Sequence, residues 1–176
     1  MSSDRLLAMR REKNTFFKTH PQSPLTPAQQ DHFTALDYYD IDSTLTMTVT
    51  VEPYPDDDVI TIETTSGDLR RYRRAGRFAF DIDGQAIQLT IYETPHGFFL
   101  PFVDANANRE TYGGGRYLDP ESVGENTFHV DFNEAYNPYC VYSDGYSCPL
   151  TPFENRLDVA IRAGEKLPTG AWLKAE

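Results

Sequence analysis

The sequence contains only two cysteines, Cys140 and Cys148, in 176 residues. This excludes a fold stapled by a disulfide framework and a zinc site built of cysteines alone. Its four histidines are scattered at His20, His32, His96 and His129, with no His-Glu-x-x-His pair to hold a catalytic zinc. A phosphate loop ending in lysine, a Gly-x-Ser-x-Gly nucleophile turn and a Cys-x-x-Cys pair are missing too. Gly113-Gly114-Gly115 is followed by neither a lysine nor a helix start, so it reads as a flexible loop or a bulge. No metal and no cofactor are expected. Positive charge is also scarce: 16 Lys and Arg stand against 27 Asp and Glu, a net charge of -11. Nucleic acid and anionic membrane surfaces call for a basic face, so neither is an expected partner. No apolar run is long enough to span a bilayer, and the N-terminus lacks the apolar core of a secretory signal. The expectation is a soluble, cytoplasmic, acidic protein whose charge serves solubility.

Apolar residues make up 39% of the chain and include eleven Tyr and eleven Phe. That is too much apolar material for a disordered chain, and its aromatic bias suits pleated, half-buried surfaces. Residues 3–18 read as a helix with Leu6, Met9, Phe16 and Phe17 on one face, ended by His20-Pro21. Thr26-Pro27-Ala28-Gln29 is a second helix start, with Thr26 as N-cap and Gln29 in the capping-box slot; that helix should give way near Asp37.

From residue 44 the period changes to two. Leu45, Met47, Val49 and Val51 share one face of a strand that Pro53 and Pro55 should stop. Residues 59–64 and 69–74 read as further strands. Arg70, Arg71, Arg73 and Arg74 on the latter are expected to form surface ion pairs with Asp56–Asp58 and Glu63. Phe78, Phe80 and Ile82 run into Asp83-Gly84, and Ile87, Leu89 and Ile91 run out of it. A two-residue type I′ hairpin follows, with Ile82 opposite Gln85, Phe80 opposite Ile87 and Phe78 opposite Leu89. Residues 98–103 form an apolar strand. Residues 104–126 read as a long loop around one short segment, Arg116-Tyr117-Leu118, and residues 127–133 as the last clear strand. The expected fold is mainly β: an antiparallel meander closed into a barrel or folded into a sandwich, with an N-terminal helical segment. An open sheet with helices on one face is the runner-up. The chain divides as one domain, 1–176, with a helical segment 1–36, a β core 37–133 and an ordered, motif-rich tail 134–176.

The tail gives mixed signals. Thr151-Pro152-Phe153-Glu154 has the form of a capping box, yet Leu157, Val159 and Ile161 alternate as a strand does. Cys140 and Cys148, eight positions apart, read as two buried free thiols in a reducing compartment, although the spacing permits a bridge. The run Gly113–Asp119, then Asp131-Phe132-Asn133, Ala135-Tyr136-Asn137-Pro138, Cys140, Cys148-Pro149-Leu150, Glu154-Asn155-Arg156-Leu157 and Ala163-Gly164-Glu165-Lys166 resembles a bacterial and archaeal family, domain of unknown function 1684. Phe98–Asp104 leading to Glu110–Gly113, and Glu12-Lys13 with Phe16-Phe17-Lys18 and Ser23-Pro24-Leu25, resemble it as well. The resemblance assigns no activity. It implies that relatives often carry proline where this chain has Asp158, which would cost a helix about 3 kcal/mol there. It therefore implies an extended tail after one helical turn.

The polar residues of this region support two readings. In the first they form a site: Arg116 holds an anionic group, Asn133, Asn137 and Asn155 orient a ligand, and Tyr117, Tyr136 and Tyr142 stack or donate. This makes a small-molecule-binding β domain for a polar or anionic ligand. An enzyme variant uses Asp131 and Glu154 as the base and acid of a hydrolase-like reaction. In the second reading the same residues are a structural clasp, with Asn and Asp side chains bonding backbone and an Arg–carboxylate pair pinning loops. A scaffold with no pocket, acting through an exposed aromatic patch, is a further alternative.

Overall fold

The computed structural model describes residues 2–175; the two ends of the expected domain span, residues 1 and 176, lie outside the described residues. Helix α1 spans Ser3–Thr19, capped by the Ser2 side chain, and ends at His20, which Pro21 keeps out of the α region. Its buried residues are Leu6 and Phe17; Met9, expected inside, is exposed. Helix α2, Pro27–His32, opens with the expected Thr26–Gln29 capping box. It stops five residues short of Asp37, because Phe33 and Leu36 leave the helix and bury beside Phe17, Leu25, Tyr142 and Trp172. No helix among the described residues is long and apolar enough to cross a membrane.

The rest is mainly antiparallel β structure. Strand β1 (Thr46–Thr50) follows a 3-10 turn capped by Asp42. The strand ends ahead of Pro53 as expected, and Glu52–Pro53 then forms a short β2 on the edge of the large sheet, where proline's missing N–H is harmless. Strand β3 (Val59–Glu63) pairs with β4, and β4 is one 14-residue strand, Leu69–Ile82, where the sequence suggested two. The apparent break is a bulge between Arg74 and Gly76. It interrupts the period of two without interrupting the strand. The hairpin to β5 (Gln85–Thr94) has the expected register, Ile82–Gln85, Phe80–Ile87 and Phe78–Leu89. Asp83 and Gly84 have φ of 51° and 78°, as a type I′ turn requires.

Strand β6 (Gly97–Phe102) pairs with β5, and β7 (Arg116–Leu118) pairs with β6. The expected long loop also contains β8 (Glu121–Gly124), all of whose residues are exposed. With neither face buried, it leaves no alternation to read. Strand β9 (Thr127–Asp131) lies between β1 and β8. The result is a three-stranded sheet, β1-β9-β8, and a larger sheet ordered β2-β4-β5-β6-β7, with β3 also on β4.

The strands do not close into one barrel. Val49, Phe128 and Val130 of the small sheet meet Phe78, Leu89, Ile91, Leu100, Phe102 and Leu118 of the large one in a single cluster. This is the sandwich alternative. A second cluster joins α1 and the segments flanking α2 to Tyr142 and Trp172 of the tail, and a third gathers Ile62, Tyr72, Tyr92, Phe99 and Tyr117. The tail is extended after a 3-10 turn at Phe153–Asn155, as the resemblance implied. The apparent capping box is not formed, since Thr151 Oγ1 donates to the Gly114 carbonyl instead.

At Gly76, next to the bulge, the strand packs tightly against Val51. A Cβ there would lie 2.4 Å from Val51 Cγ2 and 3.2 Å from the Glu52 carbonyl oxygen. Gly76→Ala should therefore destabilise the fold by about 1–3 kcal/mol through overpacking. Urea unfolding would check this, and an unchanged midpoint would refute the account of the bulge.

Candidate functional site

Arg116 sits on β7, with its side chain 1% exposed. The pleat of this short strand turns it under the tail. One terminal nitrogen donates to the carbonyls of Ala163 and Glu165, and the other to Ile161 O at 2.8 Å. Asp104 Oδ2 stands 3.6 Å from the guanidinium and is equally buried. Asp104 also accepts from Ile161 N at 2.9 Å and from Thr111 Oγ1 at 2.7 Å. Burial pushes the Arg116 pKa down and Asp104 opposes the shift. An arginine remains charged in any case.

Two of the asparagines act as backbone surrogates. Asn155 is fully buried: its Oδ1 accepts from Thr90 N at 2.8 Å, and its Nδ2 donates to Thr90 O and Pro101 O, each at 2.8 Å. It satisfies β5 as a neighbouring strand would. Asn133 does the same for Asp42, accepting from its N–H and donating to its carbonyl, each at 2.8 Å. Asn137 donates from its backbone to Glu165 Oε2 at 2.7 Å and from its amide to Lys166 O at 2.8 Å. Tyr142 OH donates to the same Glu165 oxygen at 3.4 Å.

Glu165 was not singled out from the sequence, although it lies in a quoted motif. It is buried and ion-paired with Lys13 of α1, and it also accepts from Tyr38 OH at 3.3 Å. Its partner Lys13 lies 152 positions away in the chain, so no spacing rule could connect them.

Asp131 and Glu154 have separate partners. Asp131 Oδ1 accepts from Asn133 N at 3.0 Å and Asn133 Nδ2 at 2.8 Å. Glu154 Oε1 accepts from Arg74 Nε at 2.9 Å and from Tyr92 OH, while Arg74 also pairs with Asp58 at 2.7 Å. Burial, then the bond to Glu154, pushes the Tyr92 phenol pKa well up. Of the other arginines on β4, Arg73 pairs with Glu93 and approaches Asp56 at 3.9 Å, and Arg70 donates to Ser147 O at 3.0 Å.

Beside these networks lie a cavity of about 390 Å³, lined by Asp131 with Arg5, Asp119, Glu121, His129 and Glu134, and two grooves with aromatic walls. One, about 410 Å³, runs under α1 and is lined by Arg10, Lys13, Tyr38, Asn133, Glu134, Tyr136 and Glu165 among others. Its cations are already engaged: Lys13 by Glu165, and Arg10 by the carbonyls of Tyr39 and Asn133 and by the Tyr38 ring at 4.2 Å.

The other groove, about 690 Å³, opens between the large sheet and β8. Its wall is a chain of rings. Tyr72 stacks on Phe99 at 5.7 Å, Phe99 meets the edge of Tyr117 at 4.8 Å, and Tyr117 meets Tyr136 at 5.8 Å. Phe98, Pro120 and Pro149 complete the apolar surface. Tyr117 OH donates to the Pro149 carbonyl, and the backbones of Tyr117 and Tyr136 exchange hydrogen bonds of 2.9 and 3.0 Å. Burial drives both phenol pKa values up, leaving them neutral donors. Asp119 and Glu121 line the groove, with His96, and no Lys or Arg does. Both Asp119 oxygens lie 3.1 Å from Tyr136 OH. Loss of water to the surrounding protein raises the Asp119 pKa, against the Tyr136 bond.

Of the ligand-binding residues expected from the sequence, Tyr117 and Tyr136 reach this groove. Arg116, Asn137, Tyr142 and Asn155 line neither groove, and Asn133 touches only the helix groove. Among the described residues, no group of three or more His, Cys, Asp or Glu could hold a metal ion.

Two measurements test these assignments. Arg116→Met leaves Asp104 buried without a cation and three tail carbonyls without donors, so it should cost about 3–5 kcal/mol in urea unfolding; a loss below about 1 kcal/mol would show that the tail holds without it. Cys140 and Cys148 are both free thiols. Burial first, then hydrogen bonding to Cys148, pushes the Cys140 pKa up to about 11. Its thiolate is scarce at neutral pH, so iodoacetamide should label Cys140 roughly ten- to a hundredfold more slowly than a free cysteine, and faster as pH rises. Peptide mass spectrometry reads the rate, and labelling at the free-thiol rate would contradict the burial account.

No curated protein matches this chain. Among solved structures it is similar to the solution NMR structure of an uncharacterised protein of Haloarcula marismortui, with 37% sequence identity and a TM-score of 0.67 over 93% of this chain and 92% of that one. The family model described as "Protein of unknown function (DUF1684)" matches residues 31–166, from the end of α2 through the Glu165 network. The chain belongs to the DUF1684 family.

Proposed function

We propose that this chain is a non-catalytic binding module that takes a small polar ligand with an apolar or planar face in the aromatic groove. The observation that carries this reading is the wall of Tyr72, Phe99, Tyr117 and Tyr136 around a space of about 690 Å³. That volume is within the usual range for small-molecule sites, which pair apolar walls with a few polar groups. Asp119, Glu121, Ser122, Thr94 and His96 supply the polar groups.

The anionic option loses support, because Arg116 is engaged with buried carbonyls away from the groove and no Lys or Arg lines it. The hydrolase reading loses support as well. Its two carboxylates are held by different partners, Asp131 by the Asn133 turn and Glu154 by Arg74 and Tyr92.

A thermal-shift screen against a library of amines, nucleosides, sugars and aromatic acids tests the proposal. A ligand at a hundred times its dissociation constant adds about 2.7 kcal/mol, a rise in Tm of roughly 5–10 °C for a chain of this size. Ser122 is exposed on β8 at the groove. Ser122→Trp should fill the space, abolish the shift and leave the free protein's Tm within about 2 °C. A hit whose shift survives Ser122→Trp would place the ligand elsewhere.

A further inference from the structure

We infer that the aromatic groove selects an organic cation, specifically a methylated ammonium group, with Asp119 as its counter-charge. This rests on the groove being a binding site, and it adds the chemical class of the ligand.

The first support is the imbalance of charge. The groove carries two carboxylates, Asp119 and Glu121, and no Lys or Arg. Among the described residues no cation lies within ion-pair distance of Asp119. Its hydrogen-bond partner is one neutral phenol, Tyr136 OH, at 3.1 Å from each oxygen. Three other carboxylates have a charged partner: Glu165 has Lys13, Glu154 has Arg74 and Asp104 has Arg116; Glu134, in the neighbouring cavity, shares with Asp119 the lack of one among the described residues. Asp119 remains accessible and has lost part of its water without gaining a cation. A cationic ligand would restore that charge balance.

The second support is the wall. Aromatic faces carry negative quadrupoles and attract cations within about 6 Å, most strongly where water is excluded. Lys13 already stands 5.2 Å from the Tyr136 ring centroid in the helix groove, so Tyr72, Phe99 and Tyr117 are the rings left to meet a ligand. Their polar tips are already used: Tyr117 OH donates to Pro149 O, and Tyr136 OH to Asp119. A primary ammonium brings three N–H donors that need acceptors. A quaternary ammonium brings none, presents methyl groups to the rings and is weakly hydrated. The net charge of -11 would raise the local concentration of such a cation.

Arg5, His129, Asp131 and Glu134 share the adjoining cavity with Asp119 and Glu121, and His96 faces the groove itself. They form the electrostatic setting in which Asp119 titrates. The sign follows from its raised pKa: ionised Asp119 holds the cation at neutral pH, and selectivity falls as pH drops through that pKa.

Isothermal titration with acetylcholine and its uncharged isostere 3,3-dimethylbutyl acetate tests the inference on the whole chain. The cation should bind at least tenfold more tightly than the neutral ester at pH 7.5, and this ratio should shrink toward one as the pH is lowered. Asp119→Asn should bring the ratio near one while the neutral ester still binds, which shows that the groove is intact. Glu121→Gln, on the exposed β8 strand, should reduce the ratio less. Equal binding of the two esters to the unaltered protein would overturn the cation inference and leave the groove as a site for neutral ligands. No binding of either would overturn the groove reading along with it. A ratio lost equally in Glu121→Gln and Asp119→Asn would overturn the assignment to Asp119.

Discussion

The buried pairing of Arg116 with Asp104 is the constraint on which the rest depends. The guanidinium is 1% exposed, and it binds the carbonyls of Ile161, Ala163 and Glu165 while facing a carboxylate that binds Ile161 N. Burying two charges is costly, and an apolar replacement of similar volume often does as well for stability. What the pair supplies here is position. Every second carbonyl of residues 161–165 meets one planar donor group, which fixes both the path and the register of a tail with no regular secondary structure of its own. Without those partners its backbone groups would be buried unpaired.

Fixing the tail positions much else. Glu165, held by its carbonyl to Arg116, turns its side chain to Lys13 and so fastens α1, a helix that buries little apolar surface itself. Asn137 and Tyr142 converge on the same carboxylate. Upstream, Thr64 N bonds Asp68 while Leu150 N bonds Glu63 O, so residues 148–150 lie along the end of β3. That places Pro149 at Tyr117, and the bridge between Tyr117 and Tyr136 puts a second ring beside it. The aromatic groove is thus formed where the sheet meets the ordered tail. The asparagines that looked like ligand-binding groups are structural: Asn155 replaces a missing strand partner for β5, Asn133 pairs with the Asp42 backbone, and Asn137 ties the chain to Glu165 and Lys166.

How much was legible differs by element. The β4–β5 hairpin could be read to the residue pair, because Asp83-Gly84 fixes the turn and the turn fixes the register. The Thr26 capping box and the end of α1 before Pro21 were equally legible, since each depends on neighbours within four positions. Strand β8 was not, because exposed on both faces it carries no apolar alternation. Nor was the continuity of β4 through its bulge at residue 75, nor the packing of Met9 and Phe33, where distant residues decide which face is covered. In the candidate site, Tyr117 and Tyr136 could be named from the sequence, but Asp119 and Glu165 could only be quoted within motifs, without a role.

The sequence by itself determined the mainly β class, the helical start, the main hairpin and the kinds of polar residue in the tail. These follow from local rules of periodicity, turn chemistry and capping. Only the tertiary structure decided between barrel and sandwich and gave each polar residue its partner. The physical reason is that a hydrogen bond or ion pair forms in space: Arg116 meets the tail 45 to 49 positions away, Asn155 meets Thr90 across 65, and Lys13 meets Glu165 across 152. At those separations the chain leaves no periodic trace. An arginine that closes a tail and one that awaits a ligand are then the same letter.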